Sequence, residues 1–122
     1  MNGTKFLLDT NFVIGLVKGN QQVTQLLEKR SVTVDCCAYS FMSRIELLGY
    51  PDITQPEIKA IQTVLASMRY LSLSQEIEDV TIHIRRQYSL KIPDAIIAAT
   101  AKVMDFELLT LDRQLANRVL EI

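Results

Sequence analysis

Four acidic side chains stand where a carboxylate is costly. Asp9 follows the run Lys5-Phe6-Leu7-Leu8, Glu46 lies between Ile45 and Leu47-Leu48, Asp94 precedes Ala95-Ile96-Ile97, and Asp112 follows Leu108-Leu109-Thr110-Leu111. A carboxylate among apolar neighbours loses hydration and is tolerated only with a compensating partner. If the fold brings the four together, the partner that suits them is a hard divalent cation, Mg²⁺ or Mn²⁺, which prefers oxygen donors. Metal-dependent hydrolysis is therefore the first chemistry the sequence suggests.

Each acid also has an ordinary reading. Asp favours helix N-caps and first turns, where it meets free N–H groups and the positive end of the helix dipole, and this covers Asp9, Asp94 and Asp112. Glu46 completes a Ser-x-x-Glu pattern with Ser43, the signature of a capping box. Against this, the apolar neighbours of Glu46 suit an inward-pointing side chain, and Asp94 heads a helix expected to be buried on most faces. Glu28, Asp52, Glu76, Glu78 and Glu121 sit among polar neighbours and read as solvated surface, and Asp35 and Asp105 as structural. Asn11 and Thr110, beside two of the acids, are candidate supporting residues able to orient a carboxylate or a bound water. Asn11 reads equally well as a helix cap.

The elements that must position these residues alternate. Strands are expected at Lys5–Asp9, at the β-branched stretch Val32–Cys36, at Tyr70–Leu73 and at Phe106–Thr110. Helices are expected from Thr10-Asn11, over residues 21 to 30, from about Ser40 to Leu48, after the capping box Thr54-Gln55-Pro56-Glu57, after Ser74, from Pro93 to about Val103, and after Asp112. The pattern predicts an α/β domain over residues 1–122, with a mainly parallel central sheet of four to five strands flanked by helices. In such sheets ligands gather at the carboxyl ends of the strands, where Asp9 and Asp112 fall.

With 122 residues, nearly half of them hydrophobic, the chain is long enough for a real core. Its apolar runs are too short to cross a bilayer and its start lacks a signal-peptide layout, so a cytoplasmic protein is expected. Adjacent Cys36 and Cys37 are poorly placed to bond each other and read as buried reduced thiols. With the lone His83 they offer no zinc-site spacing. The net charge is −1, but setting the four acids aside leaves ten against thirteen Lys and Arg, a balance of +3. A metal over the acidic centre would let such a surface meet a polyanion.

The segments Leu7-Leu8-Asp9-Thr10-Asn11, Ser43-Arg44-Ile45-Glu46-Leu47-Leu48-Gly49, Pro93-Asp94-Ala95-Ile96-Ile97-Ala98-Ala99-Thr100-Ala101 and Leu109-Thr110-Leu111-Asp112 together resemble the PIN-domain nucleases, and more narrowly the VapC-type toxins of bacterial toxin–antitoxin pairs. The resemblance covers essentially the whole chain. Two departures stand out: Cys36-Cys37 has no family role, and Leu115 stands where a Phe is common. Neither touches the acids.

The resemblance implies Mg²⁺- or Mn²⁺-dependent cleavage of RNA, with Asp9, Glu46, Asp94 and Asp112 holding the metal. It also implies a cognate antitoxin whose peptide crosses an apolar groove near the first helices, and a homodimer. Phe12, Val13, Leu16 and Leu26 are groove candidates, although such residues more often fill a core. Lys91, Arg85, Arg86 and Arg113 are scattered candidates for RNA phosphates, and His83 reads as structural or surface. The rival readings are a PIN-like module that binds RNA or protein without catalysis, and a haloacid-dehalogenase-like phosphatase, which wants an acid where Asn11 stands. A receiver domain expects a lysine that Thr110-Leu111-Asp112 does not offer.

Overall fold

The computed structural model describes residues 3–122. Four short strands, β1 (Phe6–Leu8), β2 (Cys37–Ser40), β3 (Arg69–Leu71) and β4 (Glu107–Leu109), form one parallel sheet in the order β3-β2-β1-β4. The connections are α1 (Thr10–Val17) and α2 (Gln21–Lys29), then α3 (Phe41–Leu48) and α4 (Gln55–Ala66), then α5 (Gln75–Tyr88) and α6 (Ile92–Met104). A last helix, α7 (Arg113–Glu121), follows β4. The chain steps outward from β1 to β3 and then returns to place β4 on the other side of β1. That reversal opens a crevice at the carboxyl ends of β1 and β4.

Strand alternation sorts the core onto two faces. Leu8, Cys37, Tyr39 and Leu109 join Phe12, Val13, Val23, Leu27 and Leu65 under the first four helices. Leu7, Ala38 and Leu71 meet Ile97 and Ala101 of α6 on the opposite face. Gly15 permits the close approach of α1 to α2, since a Cβ there would lie 2.6 Å from Val23 Cγ2. Gly19 takes a positive φ of 68° in the turn that follows α1.

One expected strand moves. Val32–Cys36 is β-branched, yet Val34–Cys36 forms a 3₁₀ turn and the strand begins at Cys37. The Thr33 hydroxyl donates to the Asp35 carboxylate, and Cys36 N bonds Thr33 O at 2.9 Å. Local hydrogen bonds of this kind compete with a ladder. The strand instead uses Cys37–Ser40, where all four residues are buried. Cys37 is buried and Cys36 half-buried, both as free thiols. Burial first, then Cys36 and Asp35, push the Cys37 thiol up to about 12, so it stays protonated and unreactive. Among the described residues no helix is long and apolar enough to cross a membrane.

Candidate active site

Asp9 sits one residue past β1, anchored by its N–H to Leu109 O of β4 at 2.9 Å. It is the N-cap of α1: Oδ1 accepts from Thr10 N at 2.8 Å, and Oδ2 accepts from the Thr110 hydroxyl, also at 2.8 Å. Only 8% exposed, it is the one buried carboxylate among the described residues. Asp112 caps α7, its Oδ1 accepting from Gln114 N and Leu115 N at 3.0 and 3.2 Å. The capping reading therefore holds for both residues. It commits only part of each carboxylate, and Asp112 Oδ2 makes no hydrogen bond among the described residues.

Glu46 is not a capping-box partner. Ser40 caps α3 by accepting from Ser43 N at 3.3 Å, which places Ser43 and Glu46 inside the helix, one turn apart on one face. Glu46 is exposed rather than turned into the core, and its Oε1 accepts from the Thr10 hydroxyl at 2.6 Å. The Thr10 hydroxyl also lies 2.8 Å from that of Ser43, which is fully buried. With Thr10 donating to Glu46, Ser43 donates to Thr10, and α3 is tied to α1. Neither Thr10 nor Ser43 was singled out as a support by sequence. The available signal was the spacing of Ser43 and Glu46, which a capping pattern mimics.

Asp94 occupies the first turn of α6, just after Pro93, where the helix dipole favours negative charge. Behind it Ala95 to Ala101 are all buried. Burial, followed by the charges of Asp9, Asp112 and Glu46, raises its pKa above the ordinary value, and Lys91 partly offsets this. Asp94 thus feels the other three acids, and all four line one cavity of about 340 Å³ with Thr10, Asn11 and Pro93.

Asn11 is not a cap. Its side-chain oxygen accepts from Leu111 N at 3.1 Å and holds the β4–α7 loop against α1. Thr110 Oγ1 donates to Asp9 and accepts from Asp112 N at 3.0 Å, joining two of the acids through one hydroxyl. No sulfur or imidazole lines the cavity. Its donors are carboxylate, hydroxyl and amide groups, the set that suits a hard divalent cation. As the side chains stand, no three His, Cys, Asp or Glu among the described residues form a ready-made cation site. An ion that keeps several waters, as Mg²⁺ does, matches carboxylates set apart in this way.

Two further hollows flank the acids. An apolar groove of about 450 Å³ shares Glu46 and is lined by Val17, Tyr50, Ile53 and Ile61 among others. A polar cavity of about 370 Å³ shares Asp94 and Asp112 and is lined by Gln114, Asn117 and Arg118 of α7. Of the groove candidates read from sequence, Phe12 and Val13 are corrected, being wholly buried in the core as the alternative reading had it, and Leu16 and Leu26 are half-buried against it. Among the basic candidates, Arg85 Nε donates to Leu90 O at 3.3 Å and steadies the loop before α6. His83 lies exposed on α5.

Comparison with known proteins agrees with this geometry. The family model for the PIN domain matches residues 6–119. A chain of a toxin–antitoxin complex from Klebsiella pneumoniae superposes with a TM-score of 0.75 at 30% identity, covering 88% of this chain and 87% of that one. A chain of FitAcB from Neisseria gonorrhoeae gives 0.77 at 22% identity, covering 93% and 92%. A chain of DNA-bound VapBC from Salmonella typhimurium gives 0.78 at 18%, covering 95% and 92%. Comparison with curated proteins gives no match. The chain belongs to the PIN-domain family of nucleases, with the fold of its VapC-type members.

Proposed function

We propose that this chain is a divalent-metal-dependent endoribonuclease and the toxin of a type II toxin–antitoxin pair. The observation that carries the reading is the convergence of Asp9, Glu46, Asp94 and Asp112 on one cavity at the carboxyl ends of the strands of a PIN domain. Those four residues would hold Mg²⁺ or Mn²⁺. Such an ion, when bound, supplies Lewis-acid activation of water and neutralises charge at the phosphodiester. The chain's own residues do the positioning. Thr110 fixes Asp9 and the backbone of Asp112, Thr10 and Ser43 fix Glu46, and Asn11 holds the loop that carries Asp112. A half-buried carboxylate, its pKa raised by burial and then by three neighbouring acids, has no use in a module that only binds, which favours catalysis.

A cognate antitoxin would lay an apolar segment in the groove beside Glu46, where Tyr50 is 67% exposed. Similarity to chains solved in toxin–antitoxin complexes supports that partner. A homodimer and a cytoplasmic location complete the reading.

The test is incubation of purified protein with cellular RNAs in Mg²⁺ or in EDTA, beside Asp94→Asn. Cleavage in Mg²⁺ that EDTA and the substitution each abolish is expected. Cleavage surviving both would overturn the mechanism, and RNA binding with no cleavage would move the reading to an idle module.

A further inference from the structure

On α7 the residues Gln114, Asn117, Arg118 and Glu121 recur at the spacing i, i+3, i+4, i+7, which places them on one helix face. All four line the 370 Å³ cavity that Asp94 and Asp112, the N-cap of the same helix, also line. That volume is within the range of ligand pockets, about 300–1,000 Å³. The side-chain amides of Gln114 and Asn117 make no hydrogen bond among the described residues. Arg118 has only an exposed contact to Glu121 at 3.5 Å, too long and too solvated to hold it in place. Leu90 and Leu115 add apolar surface to the same walls.

We propose that this cavity is a nucleobase subsite, selective for a purine next to the scissile phosphate. The inference rests on the nuclease reading above. A phosphate over the four acids puts its neighbouring nucleoside against the shared wall of Asp94 and Asp112, and the cavity beyond is where the base can go. Single-stranded RNA is read through splayed bases, by stacking or apolar contact on the face and hydrogen bonds on the edge. Leu90 offers a surface for the face, and the α7 side chains offer the edge contacts. An Asn or Gln amide pairs with adenine N6 and N7, and an Arg guanidinium with guanine O6 and N7. Both pairings use N7, which pyrimidines lack.

The test is cleavage of a single-stranded RNA library, randomised around the cut, by wild type, Gln114→Ala, Asn117→Ala and Arg118→Ala. Mn²⁺ binding by each variant shows that the acid site is intact. Wild type is expected to favour a purine at one position adjoining the cut. Each variant should lose about tenfold of that preference while still cleaving. Unchanged preference in all three variants would overturn the subsite and leave the nuclease standing. So would a pyrimidine preference, or an equal loss on every sequence, the mark of a phosphate grip alone. If wild type cleaves no RNA, the proposed function falls and the subsite with it.

Discussion

The two hollows that flank the acids differ in chemistry although they share walls with the same site. The groove beside Glu46 presents Val17, Tyr50, Ile53 and Ile61 from α1, α4 and the segment after α3. The cavity beyond Asp94 and Asp112 presents amides, a guanidinium and a carboxylate, nearly all from α7. An apolar groove gains free energy from any apolar segment that fits it, and so suits a protein partner. A polar cavity gains little from burial alone and discriminates by hydrogen-bond pattern, which suits a base. On the proposed function, one acid centre would meet an inhibitor on one side and read a substrate on the other, with Glu46 beside the first hollow and Asp94 and Asp112 beside the second.

The sharpest way to break this division is to remove the centre itself. Asp9→Asn should lower RNA cleavage by at least about a hundredfold, since groups that only support metal ligands already cost about ten- to a hundredfold. An assay on several RNAs should show the loss equally for all of them. Substantial residual cleavage would mean that Asp9 is only a cap.

Next in size is Thr110→Val, which removes the hydroxyl joining Asp9 to the Asp112 backbone. Cleavage should fall about ten- to a hundredfold with base preference unchanged. A change in preference instead would show that the β4–α7 loop reads sequence.

Smaller, and confined to one flank, is the effect of Tyr50→Ala. It should weaken inhibition by the antitoxin about tenfold, as loss of an exposed aromatic anchor does, and leave cleavage by the free protein intact. Asn117→Ala should show the reverse. Equal effects of the two on inhibitor and substrate would erase the distinction between the flanks.

The smallest effect is on the metal-free fold. Burial, then Asp9, Asp112 and Glu46, raise the Asp94 pKa. The folded protein therefore holds this proton more tightly than the unfolded chain. Stability is lost as the pH rises from the ordinary carboxylate range through the raised value, and the full cost persists above it. At neutral pH without metal, Asp94→Asn should melt higher by about 1–3 °C, a modest gain because the group is partly solvated. Below the ordinary carboxylate range the gain should vanish. A lower melting temperature at neutral pH would contradict the mutual repulsion. Mg²⁺ at a hundredfold excess over its dissociation constant should stabilise wild type by about 2–3 kcal/mol.

The four acids were legible because each breaks the apolar pattern of its own segment, and that information is local. Of their supports, Asn11 and Thr110 were legible from their place beside the acids, whereas Thr10, Ser43 and the distant partner each hydroxyl takes were not. The Thr10–Ser43 and Thr110–Asp9 hydrogen bonds join residues 33 and 101 positions apart, so no window of sequence contains both partners. The parallel sheet followed from alternating elements, but β2 slipped because Val32-Thr33-Val34 has strand propensity while its neighbours close a tight turn. Which apolar residues line the groove was open in the sequence for another reason. Helix α1 is apolar nearly all round, so periodicity does not say which face the core takes. Phe12 and Val13 turned inward, and Ile14 and Val17 were left for the groove. The row on α7 was visible in the spacing, yet polar residues on a terminal helix ordinarily face only water.

Mn²⁺ titration followed by electron paramagnetic resonance tests most directly whether the four acids make one metal-holding centre. Wild type should bind with a saturable stoichiometry. Asp9→Asn and Asp94→Asn should each weaken binding by about tenfold or more, and Tyr50→Ala and Asn117→Ala should not change it. Equal Mn²⁺ affinity in wild type and Asp94→Asn would contradict the account.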